Sequence, residues 1–478
     1  MSDELCWLTA TELSERYLRR EVSPVEVVEA VLARIDRMQP KLNCFITVCR
    51  EEALAEARLA EAAIARGDAV GPLHGIPYTA KDLVNTKGVR TTFGSLLFEH
   101  NVPNQDAVAA ARMRAAGAIL VGKTTTPEFG HKSLTDSPLF GRTLNAWDPT
   151  RTSGGSSGGA AVAVASGLAP LAIATDGGGS TRIPAACNGV VGLKQSNGVI
   201  PHSQVREGFT AYTFVCPMAR TVLDTALMLS VMTGPDPSDP WSIGLPAQDY
   251  LGAATPQGDL EGWRIRFSPT FGNTKISRDV QVAFGAALQR LEELGAELTE
   301  LKEPIPPIEP LWRVLNHANW QAQFGDMVAK DRERMSPSLV RQVEMASGWS
   351  ASDYVKAMFS RTALFRTVQT WFEQCDFLVM PTLSRTAVPI GQDLFEPLEI
   401  DGESVGELRQ NWFPYTMPFN MTGHPAISLN CGFGADGLPI GLQVVGRFRD
   451  EASLLRLAAL FEQATLRAGA HTGLPQSS

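Results

Sequence analysis

The sequence predicts a single α/β domain built on a twisted, mixed β-sheet covered by α-helices on both faces. Three observations lead there. From Gly71 onward, short apolar runs alternate with Ala-rich stretches of helical character, the alternation expected when helices pack on a sheet. Hydrophobic residues make up 44% and charged residues 19% of the chain, proportions of an ordinary globular protein with a substantial buried core. The 478 residues would suffice for about two or three average domains, but large α/β enzymes commonly use this length as one unit, so one domain over 1–478 is expected.

Within it, residues 1–70 read as a helical flank. Ser23-Pro24-Val25-Glu26 has the chemistry of a helix start: a serine N-cap, a proline whose missing N–H is harmless in the first turn, and a glutamate placed to return a hydrogen bond. Val27, Val28, Val31, Leu32 and Ile35 continue it as one apolar stripe, and a second helix covers Glu51 to Arg66, stopped by Gly67. Residues 71–233 form the core that carries the chemistry: a strand at Ile76 to Ala80, a helix near Ala107 to Ala116, a strand at Ala118 to Val121, a helix over Gly158 to Ser166 and a strand at Leu171 to Thr175. The Pro- and Gly-rich stretch Gly234 to Gly262 is a surface connection into a strand at Trp263 to Phe267 and a helix at Val280 to Leu294. Residues 311–374 read helical, and their aromatics (Trp312, Trp320, Phe324, Trp349 and Phe359, with Met327 and Met358) are weighed first as core packing and second as a substrate wall. Residues 375–478 return to strand and helix and complete the core.

Composition also excludes partners. The net charge of −9 is spread without a basic block, which argues against nucleic acid and anionic membrane and for a neutral substrate. Seven scattered cysteines without C-x-x-C spacing suggest neither a disulfide framework nor a zinc site. The chain shows no leader-like start and no apolar run near about 18 residues, so a cytoplasmic protein is expected.

The chemistry concentrates in two glycine–serine knots, Gly154-Gly155-Ser156-Ser157-Gly158-Gly159 and Asp176-Gly177-Gly178-Gly179-Ser180-Thr181-Arg182. Glycine costs conformational entropy, so such knots beside the apolar run Ala160 to Ala165 imply a backbone that must approach something closely rather than a linker. Together with Lys81 in Pro77-Tyr78-Thr79-Ala80-Lys81-Asp82, they resemble the amidase signature family, and the similarity runs on to Gly437-Leu438-Pro439-Ile440-Gly441-Leu442-Gln443. The resemblance implies a Ser-Ser-Lys triad: Lys81 as base, Ser156 as proton relay behind a cis Gly155–Ser156 peptide, and Ser180 as acyl acceptor. It further implies an oxyanion hole from the backbone N–H groups of Gly177, Gly178, Gly179 and Ser180. Gly177 departs from the family, which more often carries a β-branched residue there.

That assignment is chemically demanding. A serine needs a base, and a lysine serves only when burial makes it neutral near working pH. A hydroxyl both donates and accepts, so Ser156 can pass a proton between the other two. Ser157 is available to cap the following helix, and Asp176 and Arg182 are expected to brace the loops. No metal or organic cofactor is required.

Three rival readings remain. Gly117-Ala118-Ile119-Leu120-Val121-Gly122-Lys123-Thr124 fits the P-loop expression, but its apolar middle is itself the strand and no helix start follows the lysine. Gly154-Gly155-Ser156-Ser157-Gly158 fits a nucleophile elbow, which would make Ser156 the nucleophile of an α/β-hydrolase-like esterase with His424 as its late partner. The chain could also act as the amidase-type component of an amidotransferase complex.

The expected substrate is a small neutral amide, aliphatic or aryl, with carbamates (urethanes) and esters open to the same machinery. Its wall is expected from Thr92-Phe93-Gly94-Ser95, the loop Ile200 to Phe214 and the aromatic helical segment. A homodimer is the assembly considered.

Overall fold

The computed structural model describes residues 3–273 and 275–467, so the outer limits of the expected domain, 1 and 478, lie outside the described residues. One sheet of eleven strands organises the molecule. In chain order the strands are β1 (Phe45–Val48), β2 (Pro77–Lys81), β3 (Ile119–Thr124), β4 (Leu171–Asp176), β5 (Val191–Lys194), β6 (Phe214–Ala219), β7 (Arg264–Phe267), β8 (Glu297–Glu300), β9 (Phe377–Pro381), β10 (Ala426–Phe433) and β11 (Pro439–Gly446). Their spatial order is β1-β3-β2-β4-β6-β5-β10-β11-β9-β7-β8. The pairs β3–β2, β2–β4, β9–β7 and β7–β8 run parallel and the others antiparallel, so the sheet is mixed as expected.

Every residue of β2, β3 and β6 is buried, Lys81 at the end of β2 and Lys123 near the end of β3 included. Helices flank them. α1 (Pro24–Leu42) begins with the capping box read from the sequence, Ser23 and Glu26 exchanging side-chain and backbone hydrogen bonds. The helix Arg50–Arg66 ends at Gly67 in the left-handed conformation, φ 76°.

Two short buried helices carry the knots. α2 (Gly158–Ala165) follows the first, and α3 (Arg182–Asn188) follows the second. Farther along, α4 (Glu309–Asp331) and α5 (Ala351–Phe372) account for most of the segment expected to be helical between Leu311 and Gln374.

The P-loop reading fails on the fold. Gly122, Lys123 and Thr124 are the last residues of β3, and Lys123 is wholly buried, its Nζ donating to the Val84 carbonyl and to Thr86 Oγ1 (2.8 Å) and Thr91 Oγ1 (3.1 Å). The amine is spent holding the loop after β2.

α2 enters the sheet region so closely that Gly159 has no room for a side chain. A Cβ there would lie 2.4 Å from Thr125 Oγ1, 2.5 Å from Thr125 N and 2.7 Å from the Cys44 carbonyl oxygen. Gly159→Ala is therefore expected to destabilise the protein by about 1–3 kcal/mol, read as a lower urea midpoint at an unchanged slope. An unaltered midpoint would mean that α2 can shift away from β3.

Candidate active site

Lys81 is the last residue of β2, and its side chain runs into the interior, fully buried. Its Nζ lies 2.7 Å from Ser156 Oγ, 2.8 Å from Ser157 Oγ and 2.8 Å from Thr175 Oγ1. No carboxylate is bonded to it among the described residues. Burial pushes its pKa well below the ordinary lysine range, outweighing the raising effects of the Asp176 and Cys216 charges.

A neutral amine has two hydrogens to give and one lone pair to fill. Ser157 Oγ donates to the Thr175 carbonyl (3.1 Å), so toward the amine it acts as acceptor, and the lone pair falls to the hydroxyl proton of Ser156 or Thr175. Ser157 therefore does not cap α2 with its side chain, contrary to expectation; its oxygen is taken by Lys81. The Gly155–Ser156 peptide is cis.

The second knot is held from behind. Arg182 and Asp176 are both fully buried and paired through two 3.0 Å bonds, and Arg182 also donates to the Thr416 carbonyl (2.9 Å), Gln443 Oε1 (2.8 Å) and Asn420 Oδ1 (2.6 Å). Burial alone would raise the Asp176 pKa, but the Arg182 charge and the bonds from Arg182 and Asn420 hold it below the usual carboxylate range. Both residues are braces, as the sequence suggests.

Asp176 also decides which N–H groups remain free. Gly179 N donates to Asp176 Oδ1 (2.7 Å) and Thr181 N to Asp176 Oδ2 (3.2 Å). This corrects the expected oxyanion set: the Gly179 N–H is committed to the brace and Gly179 does not line the cavity. Gly177, Gly178 and Ser180 do line it, and among the described residues their N–H groups have no protein acceptor.

Ser180 is half-buried and faces the same cavity as Ser156. The two knots are joined through backbone, Ser157 N donating to the Ser180 carbonyl (3.1 Å). Lys81 and Ser156 are thus brought into direct contact, whereas no hydrogen bond joins Ser156 Oγ to Ser180 Oγ among the described residues.

The cavity measures about 710 Å³. One wall is aromatic: Phe129 stacks on Phe324 (4.3 Å between ring centres) and on Phe93 (6.3 Å), with Phe98 edge-on to both Phe93 and Phe129. The other presents carboxamides from α4, namely Asn316, Asn319 and Gln323, together with the loop His202 to Thr213. Of the expected substrate-binding residues, Phe93 lines the cavity and Thr92 and Gly94 do not. Thr92 donates through N (2.9 Å) and Oγ1 (2.5 Å) to Asp82 Oδ2, and Gly94 N donates to the same oxygen (3.3 Å), so both serve to fix the loop that presents Phe93. Trp312, Trp320, Phe324 and Met327 are wall residues; Trp349, Met358 and Phe359 are not, Phe359 being exposed.

The esterase reading loses its base. His424 stacks on Phe372 (5.2 Å), bonds Thr422 Oγ1 (2.9 Å) and is absent from the cavity wall. Residues that sequence reasoning missed include Trp312 and Thr416 as partners of the second knot, and Arg409, whose guanidinium lies over the Trp312 ring at 4.5 Å. They come from segments more than a hundred residues away, with no motif to mark them.

Comparison with known proteins gives matches over most of the chain. A model of the Amidase family matches residues 26–455. The chain is 38% identical to an acylamidase of Rhodococcus erythropolis over 461 residues, 96% of this chain and 95% of that one. It is 37% identical to a glutamyl-tRNA(Gln) amidotransferase component of Roseiflexus castenholzii, over 98% of this chain and 97% of the other. Among solved structures, it superposes with a TM-score of 0.91 on a bacterial aryl acylamidase of the amidase signature family, at 29% identity and 99% coverage of both chains.

The buried amine has a thermodynamic signature. Lys81 is protonated in the unfolded chain below about pH 10.4 but neutral in the folded one down to its depressed pKa, so the unfolded state binds more protons and stability rises with pH across that window. The stability of the wild type relative to Lys81→Met should therefore climb as the pH rises toward about 10. A difference that stays flat, measured by urea unfolding, would mean the amine stays charged.

Proposed function

The chain belongs to the Amidase family of carbon–nitrogen hydrolases, and on that premise we propose that it cleaves small neutral amides through an acyl-enzyme on Ser180. The observation that carries this reading is a buried amine bonded to Ser156 and, among the described residues, free of any carboxylate partner, beside a loop whose N–H groups are there unspent.

Ser180 Oγ bonds to the amide carbon while its proton passes through Ser156 to Lys81, and the carbonyl oxygen takes the negative charge against the N–H groups of Gly177, Gly178 and Ser180. As the C–N bond breaks, Lys81 returns the proton through Ser156 to the departing nitrogen. Water then repeats the cycle on the ester, releasing the acid and restoring Ser180 and Lys81.

The substrate is a neutral amide with an aryl or aliphatic group of modest size, seated against Phe93, Phe98, Phe129 and Phe324. Carbamates and esters offer the same electrophilic carbon and belong to the same proposal. The aryl preference draws support from the similarity to acylamidases and from the aromatic wall.

A second reading, action as the amidase component of an amidotransferase, draws on the similarity to the Roseiflexus castenholzii protein. Turnover by the purified chain alone separates the two. A panel of anilides, fatty amides, carbamates and free glutamine should show anilides preferred, with Ser180→Ala lowering kcat by about 10³-fold or more. Preferential turnover of charged amino-acid amides, or full activity in Ser180→Ala, would refute the proposal.

A further inference from the structure

Every carbonyl from Asp176 to Ser180 has a donor, and the donors are of different kinds. The Asp176 carbonyl accepts from Asn420 Nδ2 (3.1 Å), Gly177 from Trp312 Nε1 (2.9 Å), Gly178 from Thr416 Oγ1 (2.7 Å), Gly179 from Ile183 N (2.7 Å) and Ser180 from Ser157 N (3.1 Å). The peptide bonds here are trans, since the cis bond of the described chain is Gly155–Ser156. In a trans peptide the C=O of one residue and the N–H of the next point in opposite directions. Fixing a carbonyl therefore aims the following N–H.

Applied along the loop, this yields an alternation. The Gly177 carbonyl is drawn to the indole, so the Gly178 N–H is turned away from it. The Gly178 carbonyl is drawn to Thr416, and the Gly179 N–H goes to Asp176. The Gly179 carbonyl is held at the start of α3, which turns the Ser180 N–H back, and the Ser180 carbonyl is held by Ser157 while the Thr181 N–H goes to Asp176. The groups left without a protein acceptor among the described residues belong to the residues that line the cavity.

We propose that Trp312 and Thr416 are positioning residues for the oxyanion loop: the indole fixes the Gly177 carbonyl so that the Gly178 N–H faces the reacting carbonyl, and the Thr416 hydroxyl fixes the Gly178 carbonyl so that the Gly179 N–H stays on Asp176, holding the peptide that precedes the Ser180 N–H. The inference rests on the acyl-enzyme reading above. Trp312 is suited to the role because it is itself held. Its ring lies under the Arg409 guanidinium, edge-on to Trp320 at 5.8 Å, and Arg409 is anchored by Gln342 Oε1 (2.5 Å). The loop is fitted to it: a Cβ on Gly178 would come 2.9 Å from Trp312 Nε1, and one on Gly179 would come 2.3 Å from Thr416 Oγ1. Trp312 also stands on α4, so the helix that presents the carboxamide wall and the loop that stabilises charge share one hydrogen bond.

The test separates transition-state binding from pocket shape. Trp312→Phe keeps a ring and removes the N–H; Thr416→Val removes the hydroxyl at similar volume, and Thr416→Ser restores it. Each is assayed on an anilide that the wild type hydrolyses, with inhibition by a trifluoromethyl ketone analogue, which forms an oxyanion on Ser180, and by the carboxylic acid product. For Trp312→Phe and Thr416→Val, kcat should fall about 10- to 100-fold, KM should stay within about threefold, and ketone affinity should fall with kcat while product affinity holds. Thr416→Ser should return to within about threefold of wild type. If Trp312→Phe does not fold, the Val and Ser variants of Thr416 decide. Retained kcat in Trp312→Phe and Thr416→Val, or equal losses of ketone and product affinity, would overturn the inference. Wild-type hydrolysis that is abolished in Ser180→Ala but intact in these variants overturns this inference alone; a wild type inactive on every amide overturns the reading beneath it as well.

Discussion

An amine without an anion, sealed inside the protein, is the constraint around which the rest is arranged. Among the described residues Lys81 bonds three hydroxyls and no carboxylate, so the lost hydration of the charged form outweighs the raising effect of the Asp176 and Cys216 charges and the neutral form is favoured. That requirement fixes the neighbours. Thr175 comes from β4, the strand beside β2, and Ser156 and Ser157 come from the turn that leads into α2. The carboxylate of the second knot, Asp176, is spent on Arg182 and on the loop's own N–H groups, which removes it as a competitor for the proton.

Two other buried lysines show why this one is suited to be a base. Lys123 keeps a pKa of about 8: burial lowers it and the Asp82 charge opposes that, and its donors are spent on a carbonyl and two threonines. Lys194, lowered to about 7 by burial and by Arg182, lies over the Phe214 ring at 4.0 Å and donates to the Gln195 carbonyl. Each has the electrostatics of a poised amine. Of the three, Lys81 is the one that bonds a hydroxyl reaching the cavity, through Ser156. Perturbed titration marks candidates, and connection to the cavity chooses among them.

Much of this was legible in the sequence wherever the determinants are local. The cap at Ser23, the stop at Gly67 and the strand expected at Ile76 to Ala80, found one residue later at Pro77–Lys81, follow from neighbouring residues, and the two knots announce close backbone approach through their glycines. What was not legible depends on partners far away in the chain. The Gly179 N–H looks as free as its neighbours in the sequence, yet the Asp176 carboxylate takes it, a geometry set by Arg182 and Asn420. Thr92 and Gly94 sit beside a wall residue in sequence, yet both turn inward to Asp82, and that turn puts Phe93 at φ 56° with its ring in the cavity. Likewise nothing near Trp312 signals that its indole N–H belongs to a loop 135 residues earlier.

The central claim is that Lys81 is neutral at working pH, and its protonation state can be read directly. Wild type and Lys81→Met, grown with ¹³Cε-labelled lysine, would be titrated by NMR, the variant identifying the Lys81 resonance. The account predicts a Lys81 signal that titrates well below the bulk lysines near about pH 10.4. A Lys81 signal that moves with the bulk lysines would contradict it.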